Sequence, residues 1–103
     1  MNEAELLKAV LDHAKFLGWR VAHFDPGRGR DGRPFTPQRG HVGFPDLILL
    51  RPPRLVVAEL KSEKGRVDFA QATWLNGFET VAGVEQYVWR PDDWPDGVDA
   101  VLR

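Results

Sequence analysis

The stretch Asp46-Leu-Ile-Leu-Leu-Arg-Pro-Pro-Arg-Leu-Val-Val-Ala-Glu-Leu-Lys61 decides how this chain folds. Two apolar runs, residues 46–50 and 55–61, flank Arg51-Pro52-Pro53-Arg54, and such runs bounded by a strong turn signal predict a hairpin. With residues 51–54 as the loop, Leu50 faces Leu55, Ile48 faces Val57 and Asp46 faces Glu59. The register that pairs the apolar side chains therefore opposes two carboxylates on one face of a sheet, which by itself is destabilising. A divalent cation between them removes that cost, and one or two carboxylates are what Mg2+ ordinarily takes from a protein. Lys61 lies two residues beyond Glu59, so its side chain leaves the strand on the same face. Two carboxylates, a cation and an ammonium suit attack on a phosphodiester: the metal activates water, and the ammonium offsets developing charge.

Working outward, residues 1–18 read as an amphipathic helix. Leu7, Val10, Leu11, Ala14 and Leu17 share a face. Asn2 and Glu5 have capping-box spacing, and Gly18 supplies a stop. The stripe through positions 3, 7, 10, 14 and 17 puts Glu3 at the end of the core-facing side, from which it can approach the Asp46/Glu59 pair. Residues 19–24 read as a strand. Residues 68–82 read as a second helix ending at Gly83, with a stripe of Gln71, Leu75, Phe78 and Ala82, so Gln71 also faces the sheet. The spacing Asp68-x-x-Gln71 is in addition a capping box. Residues 85–89 make a fourth strand, and residues 98–102 a short closing helix. The order is helix, strand, strand, strand, helix, strand.

The 103 residues suffice for one domain, 1–103, with a two-layer core. The absence of cysteine excludes a disulfide framework, thiolate zinc and a catalytic thiol. His13, His23 and His41 are too widely spaced for a zinc site, although His41 lies close to the Asp46 strand in sequence. There is no apolar run of membrane-spanning length and no signal-peptide pattern, so a cytoplasmic setting without a membrane partner is expected. The net charge of −1 hides an asymmetry. Residues 20–54 carry seven Arg against three Asp, whereas residues 55–103 carry nine acids against five bases. Residues 25–42, rich in Gly and Pro, read as a long mobile loop without regular structure, and such loops are usually functional. Arg28, Arg30, Arg33 and Arg39 on that loop are candidate phosphate contacts, with Lys64 and Arg66 beyond the second hairpin strand as further candidates. Trp94 in the acidic tail is a candidate dimer contact.

Gly43-Phe44-Pro45-Asp46 followed by Glu59-Leu60-Lys61 resembles the Pro-Asp…Glu-x-Lys signature of the PD-(D/E)xK nuclease superfamily. Glu3 leading a first helix that ends in Leu-Gly-Trp, Gly65-Arg66 after the Glu-Leu-Lys, and Gln71 in the next helix make the chain similar to a stand-alone VRR-NUC domain. The resemblance runs from Glu3 to Trp89. It implies an α/β, restriction-endonuclease-like fold with an α-β-β-β-α-β core, a mixed sheet flanked by helices. It also implies an endonuclease dependent on Mg2+ or Mn2+, with no small-molecule cofactor. Asp46, Glu59 and the main-chain carbonyl of Leu60 would bind the metal. Lys61 would act on the attacking water, with Glu3 and Gln71 as supporting catalytic residues. Structure-selective cleavage of branched DNA, such as Holliday junctions, by a homodimer is the further implication. A DNA- or junction-binding module on the same fold, with little or no cleavage, is the alternative.

Overall fold

The computed structural model describes residues 1–24 and 40–103, together with the backbone pairing of Gly27–Arg28 and Pro34–Phe35. In chain order the elements are α1 (Glu3–Phe16), β1 (Arg20–His23), β2 (Gly27–Arg28), β3 (Pro34–Phe35), β4 (Leu47–Arg51), β5 (Arg54–Leu60), α2 (Phe69–Glu79), β6 (Val84–Trp89), a 3-10 turn (Pro91–Asp93) and α3 (Asp96–Leu102). The main sheet has the order β1-β4-β5-β6, with β4 antiparallel to both β1 and β5, and β6 parallel to β5. The fold is thus α/β with a four-stranded mixed sheet flanked by helices. The expectation that residues 25–42 lack regular structure is corrected at two places: Gly27 pairs with Phe35 and Arg28 with Pro34. The mobility expected for that stretch falls on residues outside those described.

The hairpin has the predicted register. Leu50 opposes Leu55 and Ile48 opposes Val57. Pairing continues to Arg51 and Arg54, so the connection is the dipeptide Pro52-Pro53, joined by a cis peptide bond. No ladder hydrogen bond is lost, because both prolines sit outside the pairing.

β5 is buried on both faces from Val56 to Leu60, as expected of a strand covered by helices on two sides. Val56, Ala58 and Leu60 join Leu47 and Leu49 in one core with Leu6, Val10 and Ala14 of α1, Trp19, Trp89, and Val98 and Leu102 of α3. The alternate residues Val57, Glu59 and Lys61 point to the other face, the one α2 covers. Asp46, in phase with Ile48 and Leu50, belongs to that face too.

Helix α1 forms as the sequence predicts. Asn2 accepts from the Glu5 N–H at 2.8 Å, and Glu5 accepts from the Asn2 N–H at 2.9 Å. Its buried line, however, is Leu6, Val10 and Ala14. Leu6 joins the predicted Val10 and Ala14 there, while Leu7, Leu11 and Leu17 flank the core half-buried. Glu3 keeps the phase of Val10 and Ala14, but it begins the helix and is exposed. Helix α2 ends at Glu79 rather than Ala82, because residues 80–83 form a turn closed by Gly83 at φ +83°. Trp94 packs half-buried against the core, edge-on to His13 with centroids 5.6 Å apart. His13 in turn meets Asp99 at 2.7 Å, tying α1 to α3.

Two hairpin arginines are structural. Arg51 donates to the carbonyls of Leu17 and Leu102 at 3.1 and 2.9 Å, and its guanidinium lies 4.6 Å from the Trp19 ring centroid. Arg54 makes a two-point pair with Glu85 at 2.8 and 2.7 Å. The buried line of α1 makes a direct prediction. Leu6→Ala should cost about 2–5 kcal/mol of folding free energy, as for other fully buried Leu truncations, and Leu7→Ala clearly less, measured by urea denaturation. Equal costs would contradict the assignment of Leu6 to the core.

Candidate functional site

Glu59 is the buried charged residue among those described, at 2% exposure. A carboxyl in that position needs partners. One oxygen has them: Oε1 accepts from Gln71 Nε2 at 3.2 Å and lies 4.0 Å from Lys61 Nζ. The other, Oε2, is buried with no hydrogen-bond partner. Burial pushes the Glu59 carboxyl up from its ordinary 4.5 to about 8. The neighbouring Asp46 carboxylate adds to this, because it can accept a hydrogen bond that only the protonated Glu59 can donate and because of its charge; Lys61 opposes the shift, and the Glu3 charge adds to it.

Asp46 stands just before β4 and reaches across the hairpin, where its Oδ2 accepts from the Leu60 N–H at 2.8 Å. Within a strand the N–H and C=O of one residue leave on the same edge. The Leu60 carbonyl therefore lies on the edge that Asp46 serves, while the next N–H, that of Lys61, donates to Trp89 on the opposite side at 3.0 Å. The approach to Asp46 is set by Gly43. Its φ is +94°, and a Cβ there would stand 2.6 Å from the Ala70 carbonyl carbon. Only glycine lets the Gly-Phe-Pro-Asp segment lie this close to α2. Phe44 then packs edge-on against Trp74 and Phe78.

Gln71 performs both roles the sequence offered. Its Oε1 accepts from the Asp68 N–H at 3.0 Å while Asp68 accepts from the Gln71 N–H at 2.8 Å, closing the capping box. Its Nε2 is thereby aimed at Glu59. The cap that starts α2 also orients the amide that holds the buried carboxyl.

Asp46, Glu59, Leu60, Lys61 and Gln71 are thus brought together. Glu3 stands apart from them at the start of α1, but its charge acts on Glu59. Among the described residues no three His, Cys, Asp or Glu side chains converge on one point. The oxygen donors present are two carboxylates and a main-chain carbonyl. Lys64 and Arg66 are exposed on the connection from β5 to α2. The side chains of Arg28, Arg30, Arg33 and Arg39 lie outside the described residues. Gly43 stood in the quoted motif without a role, and its requirement arises from a contact with α2; Arg90, which binds main-chain carbonyls after Lys61, carried no recognisable sequence signal. A separate apolar groove of ≈ 540 Å³ runs along the outer side of α2 past Val42, Phe69, Trp74 and Phe78, and no site residue lines it.

In comparisons with known proteins, no family profile and no curated protein sequence matches the chain. A solved structure described as "VRR_NUC domain" has the same fold: the TM-score is 0.62 at 20% identity, over 97% of this chain and 92% of that one. No described helix is long and apolar enough to cross a membrane.

The buried carboxyl predicts an inverted pH dependence of stability. Between the ordinary 4.5 and about 8, the folded chain keeps a proton at Glu59 that the unfolded chain has released. The folded state then binds more protons, so this contribution is full below the lower value and is lost as pH rises through the upper one. In a chelator, Tm should fall across that window, and Glu59→Gln should flatten the fall. An identical profile in the variant would exclude Glu59 as its source.

Proposed function

We propose that this chain is a metal-dependent endonuclease of the VRR-NUC type that hydrolyses DNA phosphodiester bonds. The observation that carries the reading is the buried Glu59 oxygen without a partner, set beside the Asp46 carboxyl and below the Lys61 ammonium. An orphaned buried acceptor costs about 1–3 kcal/mol, more when charged, and a cation is the partner that a second carboxylate at that point favours. The donors fit Mg2+ or Mn2+: all are hard oxygens, and such ions complete their coordination with water and phosphate oxygens. Asp46, Glu59 and the Leu60 carbonyl would hold the ion, which supplies an activated water and neutralises phosphate charge.

The remaining work belongs to the chain's own side chains. Gln71 holds Glu59 by donating to Oε1, which leaves Oε2 without a protein partner and so available to an ion. The Asp46 carboxylate is oriented by the Leu60 N–H. Lys61 projects beside Glu59, where its ammonium orients the attacking water and offsets the charge that builds on the phosphorane-like transition state. Glu3, at the mouth of the site, biases the local field toward a cation. Lys64 and Arg66, with Arg28, Arg30, Arg33 and Arg39, supply phosphate contacts that set the position of the strand. Preference for branched DNA and action as a homodimer belong to the same reading. A domain of 103 residues has little surface beyond the nuclease core for selecting a substrate, and a second copy would add it.

Nicking of supercoiled and four-way-junction DNA in Mg2+ tests the proposal. Wild type should cut, Asp46→Asn should abolish cutting, and Lys61→Ala should lower kcat by about 10²–10³-fold, the effect of losing one transition-state contact. Chelation should abolish activity reversibly. Robust cutting by Asp46→Asn would overturn the mechanism. Salt-dependent binding with no metal-dependent cutting of any substrate would favour the binding module instead.

A further inference from the structure

The chain that leaves β5 after Lys61 is held by a residue outside every motif described above. Arg90 follows the last residue of β6, and Trp89 lies beside Leu60 in the parallel ladder. The Arg90 side chain therefore starts next to the point where Lys61 departs. Its Nη1 donates to the carbonyls of Ser62 at 2.7 Å and Gly65 at 2.6 Å, with that of Glu63 at 3.4 Å.

These carbonyls converge because residues 62–65 form a tight turn. The Gly65 N–H donates to the Ser62 carbonyl at 3.2 Å. A Cβ at Gly65 would stand 2.8 Å from Ser62 Oγ and 3.6 Å from Lys61 Cδ. A side chain at position 65 would thus meet both Ser62 and the stem of Lys61, so the turn closes near Lys61 only with glycine there. Three carbonyl dipoles directed at one point repel each other, and a guanidinium with fixed N–H directions cancels that repulsion. A second tie secures the same turn, since the Asp92 N–H donates to Glu63 Oε2 at 3.1 Å. Arg90 itself is anchored, its own N–H donating to Asp93 Oδ2 at 2.8 Å.

We propose that Arg90 is a positioning residue for the site. It fixes the 62–65 turn, and with it the main chain from which the Lys61 side chain departs beside Glu59. The inference thus links the far end of β6 to the reaction through main-chain carbonyls. Its kinetic consequence rests on the endonuclease reading, but its structural part does not.

Two measurements on Arg90→Ala and Arg90→Lys test it. The first is hydrogen exchange of the intact protein. Protection at Gly65 should be lost in Arg90→Ala, while Glu59, Leu60 and the α2 amides keep theirs. Unchanged exchange across residues 62–65 overturns the clamp whether or not the protein cuts DNA. The second is steady-state cleavage. With Lys61 free to wander by about 1 Å, kcat should fall about 10- to 100-fold, and KM should stay within about threefold because binding itself is little affected. Arg90→Lys should recover part of kcat, and free guanidinium at low, non-denaturing concentration should restore part of it to Arg90→Ala. A loss of Tm alone, with wild-type kcat in the folded fraction and no rescue, overturns the positioning role. Absence of cutting by wild type overturns the endonuclease reading and leaves the exchange result to decide the clamp.

Discussion

A carboxyl group buried in the middle of the sheet, with one oxygen satisfied and the other not, is the constraint around which this molecule is arranged. An acid at position 59 of a strand covered on both faces is an expense the fold would not carry without compensation. Each element near it answers that cost in part. The hairpin register brings Asp46 across to the Leu60 N–H. The α2 cap aims Gln71 at Oε1. The two-residue step along β5 sets Lys61 above it. What is left is one bare oxygen next to a second carboxylate, the point to which the proposed cation would bind.

The two faces of β5 divide the labour. Val56, Ala58 and Leu60 join the apolar layer with α1 and α3, while Val57, Glu59 and Lys61 face α2. A strand with period two can serve a core and a reactive site at once. The cost of placing charges on the second face is offset by the dense packing of the first. The aromatic cluster of Phe44, Trp74 and Phe78 seals the α2 side, so the segment that delivers Asp46 is held by packing as well as by hydrogen bonds.

The charge asymmetry that stands out in the sequence resolves into two kinds of arginine. Arg51 and Arg54 are fastened to Trp19, Leu102 and Glu85, and they act as rivets between the hairpin, α3 and β6. Arg90 is fastened to the turn after Lys61. A count of basic residues cannot separate these from arginines that meet phosphate, because the distinction lies in which carbonyls and carboxylates the fold brings within reach. Lys64 and Arg66 remain exposed beside the site.

Much was legible in the sequence because it is encoded locally. The Pro52-Pro53 connection and alternating apolar residues determine the hairpin register, and that register, paired as far as Leu47 with Ala58, carries Asp46 to the end of β5 that holds Glu59. The capping boxes at Asn2 and Asp68 are set by residues three apart, and both formed. The stripe of α1 was legible at Val10 and Ala14 but not at Leu6, because Leu6, Leu7, Val10 and Leu11 together form an apolar arc too broad for periodicity to centre. Packing against the sheet chose Leu6, and Glu3 is exposed because it begins the helix. Long-range contacts decided the rest. That Gln71 caps a helix and holds Glu59 with the two ends of one amide depends on where α2 starts relative to β5. That Gly43 must lack a side chain depends on Ala70, and that Arg90 gathers the carbonyls after Lys61 depends on the parallel pairing of β6 with β5. Local propensity and strand register are properties of neighbouring residues, so the sequence by itself determined the elements and the adjacent carboxylates. The orientation of each group around them required distant segments to meet, and only the tertiary structure brings those segments together.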